Sequence, residues 1–155
     1  MTGAHKIWMS VALKESLTAY DNGEVPVGCV IIYKNKLIGK AFNQVEMLKD
    51  PTAHAEILAI TSAANYLEKK FLEDCSMYVT LEPCAMCAGA IVLARISHLY
   101  FGCYDTKTGA CGSVLNIPES DKLNHKVKVY GGIMDTECSR LLKEFFAKKR
   151  NSFTP

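Results

Sequence analysis

Two short segments carry the residues that most constrain how this chain can fold. The first contains His54 and Glu56, and the second places Cys84 and Cys87 three residues apart, directly after Pro83. Zinc binds thiolates and imidazole nitrogens, and a catalytic zinc keeps three protein ligands and one open position. The sequence therefore predicts that His54, Cys84 and Cys87 meet around one zinc ion, which leaves Glu56 free to transfer protons.

The spacing of these residues predicts where the site lies relative to helices. Cys84 and Cys87 share one side of a first helical turn, and Pro83 suits a helix start. His54 and Glu56 are two residues apart, which is a rotation of about 200° on a helix, so they can meet only beyond the helix end. We therefore predict a site between two helix N-termini, whose partial positive charge favours thiolates and a carboxylate.

Two other interpretations of the cysteine pair stay open at this point. A structural zinc site needs a fourth ligand, which His98, His125 or Cys75 could supply, although the H-x-E segment would then include a residue that is not a ligand. A reducible disulfide between Cys84 and Cys87 would leave the H-x-E segment unexplained.

Length and composition favour one domain over residues 1–155. Hydrophobic side chains make up 49% of the 155 residues, which argues against disorder and supports a sizeable core. No apolar run reaches the length of a membrane span, and residues 1–10 lack the apolar core of a secretion signal. The seven cysteines are an odd number, which suits a reducing compartment. We therefore predict a cytoplasmic protein that does not bind membranes.

Basic residues concentrate in the last third of the chain. From Thr106 onward there are nine Lys and Arg against five Asp and Glu, whereas the preceding residues carry nine against eleven. A basic C-terminal region favours an acidic partner such as nucleic acid. An ordinary solvated helix end shows the same pattern, and charge alone favours that simpler interpretation.

Apolar periodicity and turn residues predict alternating helices and strands. The predicted helices cover residues 5–20, 54–70, 85–94 and 135–150. The predicted strands cover residues 25–33, 37–42, 77–81, 98–103 and 126–130. We expect Gly23 to close the first helix in a left-handed conformation, and Asp135 or Thr136 to cap the last helix. The alternation predicts a three-layer α/β domain with a mixed sheet.

The helix predicted over residues 85–94 is apolar nearly all round. A helix of this kind is buried on every side, and a chain of 155 residues has little further structure to cover it. One face would pack on the sheet and the other would contact a second subunit. We therefore predict a homodimer, and a fully internal helix is the alternative.

The residues described so far resemble those of the bacterial tRNA-specific adenosine deaminases, within the zinc-dependent cytidine and deoxycytidylate deaminase family. H-x-E followed by P-C-x-x-C is the known signature of zinc nucleobase deaminases. The run Asp105-Thr106-Lys107-Thr108-Gly109 is more specific, because guanine and cytosine deaminases lack it. The resemblance covers nearly the whole chain, and the segments that carry it are 23–28, Asn43, 50–56, 78–90 and 101–109.

This resemblance implies a cytidine-deaminase-like α-β-α fold with a five-stranded mixed sheet, assembled as a homodimer with one zinc per subunit. It implies hydrolytic deamination of the wobble adenosine to inosine in the anticodon stem-loop of an arginine tRNA. Zinc-activated hydroxide would attack the base, with Glu56 as proton shuttle and His54, Cys84 and Cys87 as zinc ligands. The substrate-binding residues implied by the family are Asn43, Asp105, Lys107, Phe146, Lys149 and Arg150.

Two other functions stay open. An enzyme acting on a free base or nucleotide, such as a guanine deaminase, shares the zinc chemistry but needs no basic C-terminus. A non-catalytic, zinc-dependent RNA-binding module would use the basic region but would have no use for Glu56 as a proton shuttle.

Two of the implied contacts also have local interpretations. Asp105 is unexpected in a loop that faces phosphates, because like charges repel. We expect its carboxylate to accept a hydrogen bond from a ribose 2′-OH, although it could instead cap its own turn through backbone N–H groups. Asn43 could bind a purine edge, or it could be a turn residue that satisfies local backbone groups.

Overall fold

The computed structural model describes residues 3–152, which form five helices and a five-stranded sheet. The helices are α1 (Gly3–Asp21), α2 (Val45–Leu48), α3 (Ala55–Leu67), α4 (Ala85–Leu93) and α5 (Asp135–Ser152). The strands are β1 (Gly28–Tyr33), β2 (Lys36–Phe42), β3 (Cys75–Leu81), β4 (His98–Cys103) and β5 (Lys128–Tyr130). The sequence predicted all of these elements except the short α2, which lies in a segment predicted as a loop.

The sheet is mixed, as predicted, with the strand order β2-β1-β3-β4-β5. β1 is antiparallel to both β2 and β3, whereas β3, β4 and β5 run parallel. Because β1 runs opposite to its neighbour β3, the start of β1 lies beside the ends of β3 and β4. Residues that follow Leu81 and Cys103 therefore meet residues that precede Gly28 at one edge of the sheet.

Helices cover both faces of the sheet, which makes the three layers that the sequence predicted. Residues from α3 and α4 form one core with the sheet, and they include Ala59, Ala63, Ala88 and Ile91. Residues from α1 and α5 form the other core, and they include Met9, Ala12, Cys138 and Leu142. Val30 of β1 belongs to the second core and its neighbour Ile31 to the first, because successive strand side chains point to opposite faces.

Two predicted turns adopt left-handed backbone conformations. Gly23 has a φ of 76° just beyond α1, as expected of a residue that closes a helix. Lys34 and Asn35 have φ values of 49° and 60° in the β1–β2 hairpin. Two successive residues with positive φ make the tight turn that matches the twist of an antiparallel pair.

Several predicted boundaries were wrong by two or three residues; β3, for example, begins at Cys75 rather than residue 77, and β5 at Lys128 rather than residue 126. Two of these boundaries, and the cap of α5, have a local explanation. β1 begins at Gly28 rather than residue 25, because the Val27 N–H donates to the Val25 carbonyl at 2.8 Å and tightens the chain there. α3 ends at Leu67 rather than residue 70, because Glu68 adopts a left-handed φ of 55°. α5 begins at Asp135, so Asp135 lies within the first turn and neither it nor Thr136 is the cap.

The surface of α4 bears on the homodimer prediction. Cys87, Ala88 and Ile91 are buried, whereas Met86 is 37% exposed and Leu93 is 77% exposed. α4 therefore has one buried face and one exposed apolar face in the single chain, and the fully internal helix is wrong. The homodimer itself stays a prediction.

Within the described residues, no helix combines the length and the apolar character needed to cross a membrane.

Candidate active site

Both helices that were predicted to start at the site do so at a metal-ligand candidate. His54 occupies the N-cap of α3 and Cys84 the N-cap of α4, both with extended backbones. The His54 carbonyl accepts from Leu58 N–H at 3.1 Å, and the Cys84 carbonyl accepts from Ala88 N–H at 2.8 Å. These are the first hydrogen bonds of each helix, so both side chains project from helix N-termini.

The three candidate ligands have the geometry of a zinc site. The Nδ1 atom of His54 lies 3.7 Å from Cys84 Sγ and 3.5 Å from Cys87 Sγ, and the three donor atoms lie within 4.8 Å of one another. Zn–N distances of about 2.0 Å and Zn–S distances of about 2.3 Å place tetrahedral ligand atoms about 3.6 Å apart. One imidazole and two thiols at this spacing fit zinc.

The described residues provide no fourth ligand for a structural zinc. Within residues 3–152, the group that could hold a metal contains His54, Cys84 and Cys87 only. Cys75 begins the seven-residue strand β3 whose other end faces the site, which is a distance of about 20 Å. His125 instead contacts the Ile96 carbonyl at 2.7 Å. Cys84 and Cys87 are free thiols, so the disulfide interpretation is also wrong.

Glu56 lies in the first turn of α3 and is only 4% exposed. Burial disfavours the charged carboxylate and raises the pKa of Glu56 to about 7, against the opposing influence of nearby His54. A carboxyl group with a pKa near neutrality can both accept and release a proton.

The pKa values of the Cys84 and Cys87 thiols shift in opposite directions because the two thiols share a proton. Hydrogen bonds from Cys87 and from His54 lower the pKa of Cys84 to about 4. The same contact with Cys84, together with burial, raises the pKa of Cys87 above its ordinary value. One thiolate therefore forms readily beside His54, and the thiolate is the form that binds metals.

A cavity of about 250 Å³ opens beside these groups. The predicted site residues that line it are Asn43, His54, Glu56, Cys84, Asp105 and Lys149. Asn43 donates from Nδ2 to the Val25 carbonyl at 3.3 Å. Its Oδ1 is the one buried side-chain polar atom that lacks a hydrogen-bond partner among the described residues. Asn43, which lines the cavity, thus satisfies a local backbone group and still has an unused buried acceptor.

A second concave surface, which we call the basic groove, adjoins the cavity. It has a volume of about 730 Å³ and is lined by Asp105, Lys107, Thr108, Leu142, Lys143, Phe146, Lys149 and Arg150. Asp105, Thr108 and Lys149 line both the cavity and the groove. Phe146 is 42% exposed there. The structure therefore brings all the predicted substrate-binding residues to two adjoining surfaces, and their contacts with RNA stay predictions.

Asp105 makes the local bonds that its alternative interpretation required. Its Oδ1 accepts from the N–H groups of Lys107 at 3.1 Å and Thr108 at 3.0 Å, and its Oδ2 accepts from Thr108 Oγ1 at 2.7 Å. Burial raises the pKa of Asp105, but these hydrogen bonds outweigh it and leave the pKa below its usual value. Asp105 therefore caps its own turn, and the contact with a ribose hydroxyl stays a prediction.

Sequence reasoning missed two buried carboxylates near the cavity, Glu24 and Glu82, which are 1% and 2% exposed. Glu24 accepts from the N–H groups of Glu46 at 3.0 Å and Met47 at 2.7 Å, and so holds α2 at the rim of the cavity. Glu82 holds a different segment, described below. One signal in the sequence could have revealed both carboxylates: each is a charged residue in a segment whose neighbouring residues predict burial.

Several known proteins are similar to this chain in sequence and in structure. The family model of the MafB19-like deaminases matches residues 3–150. A tRNA-specific adenosine deaminase from Aquifex aeolicus is 50% identical over 145 residues, which cover 94% of this chain and 95% of the relative.

Two solved structures extend the comparison. One, from work on A-to-I editing by tRNA:A34 deaminases at the wobble position of transfer RNA, has a TM-score of 0.84 and 38% identity, and the match covers 87% of this chain and 98% of that chain. A guanine deaminase from Nitrosomonas europaea has a TM-score of 0.76 and 22% identity, over 92% of this chain and 84% of that chain. The second likeness concerns the fold alone.

Proposed function

The chain belongs to the family of tRNA-specific adenosine deaminases and also matches the family model of the MafB19-like deaminases, and we propose that it converts the wobble adenosine of a tRNA anticodon to inosine. The observation that carries the proposal is the junction of two surfaces. A cavity with three zinc-type ligands and a buried Glu56 adjoins a groove lined by basic residues of α5. An arginine tRNA is the substrate that the resemblance favours.

His54, Cys84 and Cys87 would hold one zinc ion per chain, because their donor atoms lie at tetrahedral spacing. When bound there, zinc supplies Lewis-acid activation, which brings the pKa of water toward about 7. The positive ends of α3 and α4 favour the negative charge of the thiolates and of Glu56.

Glu56 moves the protons of the reaction. It accepts a proton from the attacking water and donates it to N1 of the purine as the C6–O bond forms. It then takes the remaining proton from the new C6 hydroxyl and delivers it to the amino group, so that the carbonyl forms as the C6–N bond breaks and ammonia departs. Burial holds the pKa of Glu56 at about 7, so neither transfer is strongly uphill near neutral pH.

The remaining residues bind and orient the nucleotide. The target base must leave the anticodon stack, which costs a few kcal/mol and less in a single-stranded loop. Asn43 lines the cavity and offers its unused Oδ1 to a donor on the base. In the basic groove, Phe146 can stack on a neighbouring base, while Lys107, Lys149 and Arg150 neutralise phosphates.

The assembly that fits this function is a homodimer in the cytoplasm. The exposed apolar face of α4, which includes Met86 and Leu93, is the surface that a second subunit would cover. Light scattering on the zinc-loaded protein measures this directly, and a monomer at micromolar concentration would contradict the dimer.

Sequencing tests the proposed reaction. Purified, zinc-loaded protein is incubated with total tRNA, and inosine is mapped at every adenosine. We expect inosine at the wobble position of the anticodon. Ammonia release from free guanine without inosine in tRNA would instead support a free-base deaminase. Binding of tRNA without turnover would support an RNA-binding module.

A further inference from the structure

Glu82 lies between the end of β3 and the metal-ligand candidate Cys84, and it is 2% exposed. Its Oε1 accepts from Asp105 N–H at 3.0 Å and from the Ser113 hydroxyl. Its Oε2 accepts from the N–H groups of Cys111 at 3.1 Å and Ser113 at 3.0 Å. Both carboxylate oxygens therefore bind one segment, residues 105–113, which we call the clamp loop.

The choice of a carboxylate has a physical reason. A buried carboxylate is costly unless hydrogen bonds satisfy it, and an ionised carboxylate only accepts. Four donors from the clamp loop meet this requirement at Glu82. A glutamine would turn an N–H₂ group toward donors, so the contact depends on the charge as well as on the shape.

At Gly109, the clamp loop packs so closely on Glu82 that most other residues would not fit. A Cβ atom added at Gly109 would collide with the Glu82 carboxyl group. Ala110 N–H donates to the Pro83 carbonyl at 2.9 Å, and Glu82 N–H donates to the Cys103 carbonyl at 2.9 Å. The clamp loop and the end of β4 that precedes it are thus held against the segment that carries the metal-ligand cysteines.

We propose that Glu82 is a positioning residue that sets the clamp loop, and with it Lys107 and Thr108, against the RNA at the mouth of the cavity. This inference rests on the proposed function. Glu82 borders the cavity, but its hydrogen bonds occupy both carboxylate oxygens, so it acts on RNA through the loop. Lys107 and Thr108 are exposed in the basic groove and follow Asp105, whose N–H binds Glu82.

The first test compares Glu82→Gln and Ser113→Ala with Glu119→Gln, an exposed acid further along the chain. For Glu82→Gln we expect KM for an anticodon hairpin to rise about tenfold, the effect of one lost hydrogen bond to a charged group. We expect kcat and zinc content to stay unchanged, because the loop binds ground state and transition state alike. Ser113→Ala should cause a smaller rise in KM, and Glu119→Gln none.

Amide hydrogen exchange gives a readout that does not depend on activity. Either the Asp105 N–H or the N–H groups of Cys111 and Ser113 should exchange faster in Glu82→Gln than in the wild type, because glutamine replaces one of the two acceptor oxygens with an N–H₂ group. Exchange in β1, which lies outside the clamp loop, should not change.

Gly109→Ala tests the same contact by a change in the clamp loop instead of in Glu82. It leaves the Glu82 charge in place but pushes the loop away, so it should also raise KM without loss of zinc. If both variants act through one contact, the double variant should raise KM no more than the stronger single variant does. Ser113→Ala and Gly109→Ala decide the question if Glu82→Gln does not fold.

Two results would overturn the proposal. Unchanged KM and unchanged exchange in Glu82→Gln would show that the loop keeps its position without the carboxylate. Loss of zinc, or a fall in kcat with unchanged KM, would show that Glu82 supports the metal-ligand segment instead. A wild-type protein that does not deaminate the hairpin would refute the proposed function, while the exchange measurement would still test Glu82.

Discussion

Replacement of Asn43 by alanine should lower activity without lowering stability. The side chain donates one long hydrogen bond, from Nδ2 to the Val25 carbonyl at 3.3 Å, and its Oδ1 is buried without a partner. Loss of a hydrogen bond costs about 0.5–1.5 kcal/mol, and removal of an unsatisfied buried acceptor returns about 1–3 kcal/mol. The free energy of unfolding of Asn43→Ala should therefore stay unchanged or rise by about 1 kcal/mol.

The sign of the change in the free energy of unfolding distinguishes this prediction from the usual outcome, because most substitutions at buried sites destabilise by about 1 kcal/mol. The activity should fall in the same variant, since the base loses its hydrogen-bond acceptor at the cavity wall. We expect kcat/KM on an anticodon hairpin to drop at least about tenfold, the equivalent of one hydrogen bond of 1.4 kcal/mol.

Urea unfolding and single-turnover deamination measure the two effects on zinc-loaded proteins. The m-value should match that of the wild type, so that the midpoint reports stability alone. Asn116→Ala is the matched control, because this exposed amide donates to Glu119 at 3.1 Å outside the cavity. A loss of about 2 kcal/mol or more in Asn43→Ala, or an unchanged kcat/KM, would refute the reasoning.

Four further predictions address the metal, the proton shuttle and the RNA. Glu56→Gln should keep its zinc and its fold but lose at least about 10²-fold in deamination rate; near-normal turnover would remove Glu56 from the mechanism. Cys87→Ala should bind less zinc by elemental analysis and melt at a lower temperature, because metal binding and folding are coupled. Lys149→Gln should reduce the slope of log binding constant against log salt by about 0.7, the value for one phosphate contact on a single strand, whereas Lys34→Gln in the β1–β2 turn should not. Asp105→Asn should lower RNA and DNA deamination together if its turn bonds dominate; a rise in the DNA-to-RNA ratio on matched hairpins would support the contact with the 2′-OH.

Local patterns in the sequence were sufficient to predict the metal-ligand candidates and the helices that present them. Rotation per residue on a helix is fixed, so a two-residue spacing between His54 and Glu56 required a site beyond a helix end. The structure confirms that His54 and Cys84 lie at the N-caps of α3 and α4. Alternation of helical and strand patterns similarly predicted the layers, because each periodicity specifies one buried face.

The contacts between segments far apart in the chain were decided only by the tertiary structure. No local spacing indicates that Glu82 receives hydrogen bonds from Asp105 and Ser113, more than 20 residues away. Nor does it indicate that Phe146 shares a groove with Lys107. Such contacts depend on which strands are neighbours and which loops leave the same edge of the sheet. Periodicity in the sequence shows which face of each helix or strand is buried. The hydrogen-bond partners of a buried carboxylate depend instead on how all the helices, strands and loops pack together.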